Sequence, residues 1–300
     1  MATKVGFIGL GAMGAPLAKN LQSKGFDLNV FDLDAAKIDL LVSLGARRAA
    51  SVAAAAKDAD IVITILPATA HVEAVVFGAA GILANIDTGT VLMEMSTIDA
   101  KATDKVAAAC AAQDIGFVDS PVGRLVLHAE RGESLFMVGA NDAEFAKVLP
   151  LLNAMGNAIH RCGPPGAGSR MKVINNFMLL SIAEIVAESL TLGTKLGLSP
   201  EIMREVTGAT TAANGQFHTL MVNKVLQGDI EPGFTIDLAF KDMTLALNAA
   251  AEQRIGLPVG AAALAVYGAA RAGKYAGKDY SSLLSYACDL AGMATPRLQS

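Results

Sequence analysis

Hydrophobic positions in the first half of the chain fall into short runs, each closed by a turn former or a polar residue. Lys4 to Leu10, Leu28 to Phe31, Asp60 to Leu66, Thr90 to Met95, Phe117 to Ser120 and Ser134 to Gly139 read as strands. Between them, Ala12 to Lys24, Ala70 to Phe77, Ala102 to Gln113 and Phe145 to Met155 read as helices. Strands alternating with helices predict an α/β fold, a parallel sheet covered on both faces. Beyond Gly163 the pattern changes. Pro164, Pro165 and Gly166 cannot continue an earlier element, Ser169 is the expected N-cap, and no proline follows until Pro200. One helix of that length would span roughly 40 Å at about 1.5 Å per residue, enough to pass from one domain into another. After Gly197-Leu-Ser-Pro200 the remaining segments are helical throughout, with alanine-rich faces suited to close packing. The expected division is 1–163, then the long helix within 164–197, then an all-helical C-terminal domain over 198–300.

The first strand runs directly into Gly9-Leu-Gly11-Ala12-Met13-Gly14, and a helix follows. Gly9 permits the tight turn, Gly11 lets the backbone approach a pyrophosphate, and Gly14 allows close helix–strand packing. Asp32 ends the second strand eighteen residues past Gly14, where a ribose-binding carboxylate is expected. A carboxylate there repels a 2′-phosphate, and Leu33 to Ala36 bring no arginine, so NAD is expected in preference to NADP. The domain is therefore read as a Rossmann-type, doubly wound sheet. A purely structural glycine loop is the rival, and the strand, helix, second strand and acid in register weigh against it. Ligands of such sheets bind at the carboxyl ends of strands, which puts Leu66-Pro67 and Ser96-Thr97 at the nicotinamide side. Pro67 as a mere strand stop and Thr97 as a mere helix cap are the plainer alternatives.

Lys172, Asn175 and Asn176 lie in the first turns of the long helix, on one face by their spacing. A solvated helix start would account for them, but Val173, Ile174 and Phe177 to Leu180 leave little solvent-facing surface. A partly buried lysine is a candidate proton donor. Gly123-Arg124 follows a strand end, and Arg124 stands alone among apolar neighbours. It is either a surface arginine pairing with Glu130 or Glu133, or a fork of donors for an anionic substrate. Lys241 is a lone lysine on an apolar helix, either snorkelling to solvent or reaching toward the cofactor.

Composition narrows the classes. The 300 residues are 53% hydrophobic, largely through alanine and glycine, and Glu184 and Glu188 interrupt the long helix. No uncharged apolar stretch reaches 18 residues, so no membrane span is expected. A net charge of −4 without a basic run argues against nucleic acid. Three scattered cysteines without a CxxC read as buried thiols of a reducing, cytoplasmic protein, and the four histidines lack metal-ligand spacing, so no metal is expected. The apolar helical half suggests a homodimer or homotetramer.

Taken together, the motifs resemble the β-hydroxyacid dehydrogenase family, which includes 3-hydroxyisobutyrate dehydrogenase, over essentially the whole chain. The resemblance rests on residues 5–14, Met95-Ser-Thr97, Asp119-Ser-Pro-Val-Gly123, Gly166 to Asn176 and Leu238-Ala-Phe-Lys-Asp242. It implies an NAD-dependent oxidoreductase acting between an alcohol and an aldehyde, with Lys172 as catalytic acid/base and Asn176 holding substrate. It also implies Thr97 and Lys241 beside the cofactor. Most of the family carries Ser-Gly-Gly after Pro-Val, where this chain has Gly123-Arg124-Leu125. The Pro-Val-Gly-Arg version resembles a branch that reduces a sulfonated short aldehyde with NADH. A carboxylate semialdehyde reductase, an imine reductase and a catalytically silent NAD-binding module are the competing readings.

Overall fold

The computed structural model describes residues 2–298. Two compact units divide the chain, Met1–Lys172 and Val173–Ser300.

Among its described residues the first unit holds nine strands: β1 (Lys4–Ile8), β2 (Asp27–Phe31), β3 (Arg47–Arg48), β4 (Ile61–Thr64), β5 (Val91–Glu94), β6 (Gly116–Asp119), β7 (Val122–Gly123), β8 (Ser134–Gly139) and β9 (Gly156–Gly163). They form one sheet in the order β3-β2-β1-β4-β5-β6-β8-β7, with β9 also on β8. From β3 to β6 all neighbours are parallel; β8 runs antiparallel to β6 and β7 and parallel to β9. The helices are α1 (Gly14–Ser23), α2 (Ala35–Ser43), α3 (Val52–Ala56), α4 (Thr69–Phe77), α5 (Ala100–Ala111), α6 (Val126–Glu130) and α7 (Asp142–Met155).

Alternation along the strands assigns the two faces. Val5, Phe7, Ile61, Ile63, Val91 and Met93 pack with α1, α2, α6 and α7 through Leu17, Leu21, Leu41, Ala129 and Leu152. Their neighbours Ile8, Val62 and Leu92 pack with α3, α4 and α5 through Ala55, Val76 and Val106. Both faces being covered, these strands are apolar at most positions, with Lys4, Thr64 and Glu94 at their ends, the pattern of a parallel sheet buried between helices. The fold class matches the expectation. The sequence pattern missed α2, α3, α6 and the strands β3, β7 and β9. Four of these, β3, β7, α3 and α6, have five residues or fewer, too short to show a period. The strand β9 carries Asn157, His160 and Arg161 at a sheet edge, with no alternation to betray it.

Helix α8 (Ala167–Lys195) is continuous for 29 residues, and the division between the units falls within it. Ser169 is not its N-cap. The helix starts two residues earlier, and buried Asp119 at the end of β6 accepts from the Gly166 N–H at 2.6 Å and the Ser169 N–H at 2.5 Å. The cap comes from a strand distant in sequence.

The second unit adds α9 (Pro200–Gly208), a π-helical turn Gln216–Met221, α10 (Ile236–Glu252), α11 (Pro258–Arg271), a 3₁₀ turn Tyr280–Ser282 and α12 (Leu283–Leu290). Leu180, Ala183, Ala187 and Leu190 of α8 enter its core with Met243, Tyr267 and Leu284. By length and apolar composition alone α8 is long enough to cross a membrane, its glutamates notwithstanding. Its apolar residues supply this core instead. Among the three free thiols Cys110 and Cys288 are buried, but Cys162, on the edge strand β9, is only partly so.

Candidate active site

In the first unit the glycine loop is held tightly. Gly9 has φ +101° and donates its N–H to the Phe31 carbonyl at 2.9 Å. A Cβ on Gly9 would lie 2.3 Å from the Ile65 carbonyl oxygen, and one on Gly14 only 2.0 Å from the Gly9 oxygen. At Gly11 the same atom meets nothing within 4 Å: the loop there faces open space. Helix α1 begins beside it with no acidic residue in its first turn and no side-chain cap, so its leading N–H groups are left for an anion. Ala12 is exposed and Met13 half-buried at this turn. Asp32 is tied to the loop, accepting the Leu10 N–H at 2.6 Å and the Asp34 N–H at 2.9 Å. A cradle open at one glycine, walled at two others, and flanked by a fixed carboxylate fits a dinucleotide.

At the neighbouring strand ends, Leu66 donates its N–H to Ser96 Oγ at 2.7 Å, which joins the two loops expected at the nicotinamide side. Pro67 is exposed and Thr97 half-buried. Beneath them Glu94 is fully buried, accepting from the Ser96 N–H at 2.6 Å and bonded to the Thr64 hydroxyl. Burial pushes its carboxyl up to about 7 against the pull of the Ser96 and Thr64 hydrogen bonds, and Asp119 adds to the rise. Sequence reasoning missed Glu94, whose signal was an acid inside the run Val91 to Met95.

Lys172 reaches back to the sheet, donating from Nζ to the Val122 carbonyl at 2.7 Å, next to Gly123. Arg124 follows with φ +71°, a left-handed conformation rare for a side chain of its size. Its guanidinium donates to the Glu133 backbone carbonyl and to Asn157 Oδ1, the latter at 2.7 Å. Neither partner is the carboxylate of Glu130 or Glu133 that a surface arginine was expected to find.

Within the second unit, Asn175 donates to Asn176 Oδ1 at 3.0 Å, and Asn176 donates to Asp242 Oδ2 at 2.6 Å. Lys241 is ion-paired to the other Asp242 oxygen at 3.0 Å. Asp242, 3% exposed, orients the Asn176 amide. No role was read for it in the sequence, although it falls on the buried stripe of α10 with Ile236, Ala239, Met243 and Ala246, where an acid is costly unless bonded. Among the described residues no cluster of three His, Cys, Asp or Glu could hold a metal.

Sheet order, glycine cradle and fixed acid define a dinucleotide-dependent oxidoreductase. Residues 4–163 match the NAD-binding domain of 6-phosphogluconate dehydrogenase, and residues 166–287 the NAD-binding domain of NADP-dependent 3-hydroxyisobutyrate dehydrogenase. The chain is 40% identical to 3-sulfolactaldehyde reductase of Escherichia coli, over 96% of this chain and 97% of that one. It is 36% identical to 2-(hydroxymethyl)glutarate dehydrogenase of Eubacterium barkeri, over 97% of each. Its fold superposes with a TM-score of 0.88 on Mycobacterium tuberculosis 3-hydroxyisobutyrate dehydrogenase solved with L-serine, at 30% identity, covering 95% of this chain and 99% of that one. The chain belongs to the 3-hydroxyisobutyrate dehydrogenase family, the NAD-dependent β-hydroxyacid dehydrogenases.

Proposed function

We propose that this chain reduces a short anionic aldehyde with NADH, and that 3-sulfolactaldehyde, giving 2,3-dihydroxypropane-1-sulfonate, is its substrate. The observation that carries this reading is Arg124, the residue directly after the strand β7 to whose Val122 carbonyl Lys172 is bonded. A sulfonate has three oxygens to satisfy, and a guanidinium fork with adjacent backbone N–H groups offers more donors than a serine hydroxyl. The 40% identity to a reductase of that name supports it.

Gly9, Gly11, Ala12, Met13 and Gly14 would hold the pyrophosphate, Asp32 the adenosine ribose, and Leu66, Pro67 and Thr97 the nicotinamide half. The carboxylate at Asp32 favours NADH over NADPH. When bound, the reduced nicotinamide supplies the two electrons of the reduction as a hydride to the aldehyde carbon. Lys172 gives its proton to the aldehyde oxygen as negative charge develops there, and its ammonium stabilises that charge beforehand. Asn175 and Asn176, one turn along α8, hydrogen-bond the polar body of the substrate. In the reverse direction Lys172 accepts the alcohol proton.

One observation favours a carboxylate semialdehyde as substrate instead: Nη1 of Arg124 is already committed to the Glu133 carbonyl and Asn157. Steady-state NADH oxidation with sulfolactaldehyde and with succinate semialdehyde decides between them. A hundredfold preference in kcat/KM for the sulfonate, about 2.7 kcal/mol of transition-state discrimination, is expected. Equal or reversed values would make Arg124 a general anion clamp and the protein a carboxylate semialdehyde reductase.

A further inference from the structure

We infer that Glu94 is a positioning residue for the nicotinamide side of the cofactor site, a buried strut that fixes the β4 and β5 strand ends against each other. The inference rests on the reading that Leu66-Pro67 and Ser96-Thr97 border the cofactor. The geometry is a chain of three links. Glu94 takes the Ser96 N–H at 2.6 Å, which fixes the backbone that carries the Ser96 hydroxyl. That hydroxyl accepts the Leu66 N–H at 2.7 Å. On the other side Glu94 is bonded to Thr64 at the end of β4. Leu66 carries the last backbone N–H before Pro67, so Ser96 Oγ is what fixes this corner, and Glu94 holds the Ser96 backbone in place.

An apolar residue would fill position 94 as its neighbours Met93 and Met95 fill theirs, without desolvating a carboxylate. A buried acid is instead costly, and its cost is offset only through the bonds it makes. The groups acting on Glu94 from packed elements are Thr64 on β4, Ser96 on its own strand end, and Asp119, its register partner on β6. Asp119 is engaged by the Gly166 and Ser169 N–H groups and raises Glu94 further. With its carboxyl pushed up to about 7, Glu94 changes charge across neutral pH. Its ionised form accepts hydrogen bonds more strongly, so the strut stiffens as pH rises.

The test is NADH binding by fluorescence titration at pH 6 and pH 8, with wild type, Glu94→Gln and Ser96→Ala. Gln keeps the volume and one acceptor but cannot ionise. Wild type should bind NADH more tightly at pH 8. Glu94→Gln should weaken binding at pH 8 by about tenfold, the scale of one lost charge-assisted hydrogen bond, and should abolish the difference between the two pH values. Its aldehyde KM at saturating NADH should change less than its NADH affinity. Ser96→Ala removes the acceptor for Leu66 without touching the charge and should reproduce the loss, which keeps the test decisive if Glu94→Gln fails to fold. NADH binding by Glu94→Gln equal to wild type at both pH values would overturn the inference. So would a raised aldehyde KM together with lost NADH affinity and lost thermal stability, the mark of a general loosening. If wild type binds neither NADH nor NADPH, the cofactor reading itself falls.

Discussion

Three side chains of the site can be tested singly. Lys172→Ala removes the only general acid the proposal uses, and should lower kcat by about 10²–10⁴-fold while NADH affinity in the binary complex holds. Unchanged turnover would remove the lysine from the chemistry. Arg124→Ala should act on substrate: KM for an anionic aldehyde rises by roughly tenfold to a hundredfold, the range for charge-assisted hydrogen bonds, with little change in kcat. An unaltered KM would end its role as an anion fork. Asp32→Ser takes the carboxylate from the ribose side and should narrow the NADH-over-NADPH ratio of kcat/KM. A ratio that stays put would mean that discrimination lies elsewhere. Asp32, Lys172 and Arg124 were legible in the sequence because each stands out by type at a position where the pattern expects something else. Asp242 and Glu94 also stand out by type, but their roles were not read, because their partners Asn176 and Thr64 are joined to them only by folding.

Among the elements, β5 and α8 each carry a buried acid whose carboxyl is raised from 4.5 to about 7: Glu94 by burial first, and Glu184 by burial with Glu188 adding. A raised acid binds its proton in the folded state where the unfolded chain has lost it. The stability this gives is complete below the unfolded value of 4.5 and declines as pH rises from there to about 7. Each group contributes a slope of roughly 1.4 kcal/mol per pH unit in that window. Thermal unfolding should therefore show Tm falling between pH 5 and pH 8, and Glu184→Gln should flatten the fall and raise Tm at pH 8. A Tm that climbs across this window would contradict the assignment. The α8 start shows why local sequence misplaced a cap. Ser169 has the right chemistry for one, but Asp119 already serves the leading N–H groups, and a side chain fifty residues away is invisible to a local pattern.

At the scale of the molecule, α8 and α9 leave Ile174, Met178, Ile185, Leu192, Ile202 and Val206 exposed on the helical unit. We propose that a second copy of this chain covers this apolar surface. Light scattering should then give a dimer or larger assembly, and Ile185→Glu with Leu192→Glu should reduce it to monomer; a monomeric wild type would refute the proposal. The sequence by itself determined the layered α/β unit, the long helix, the helical unit and the cofactor loop, because periodicity, prolines and glycines act over a few residues and need no distant partner. It also pointed to the side chains proposed to carry the chemistry. Tertiary structure alone decided how they are held: Lys172 against the Val122 carbonyl, Arg124 between Glu133 and Asn157, Asn176 on Asp242, and Leu66 on Ser96 above Glu94. Each of those contacts joins residues that lie apart on neighbouring elements or at strand ends, and a hydrogen bond is set by where the backbone brings donor and acceptor, which no local pattern encodes.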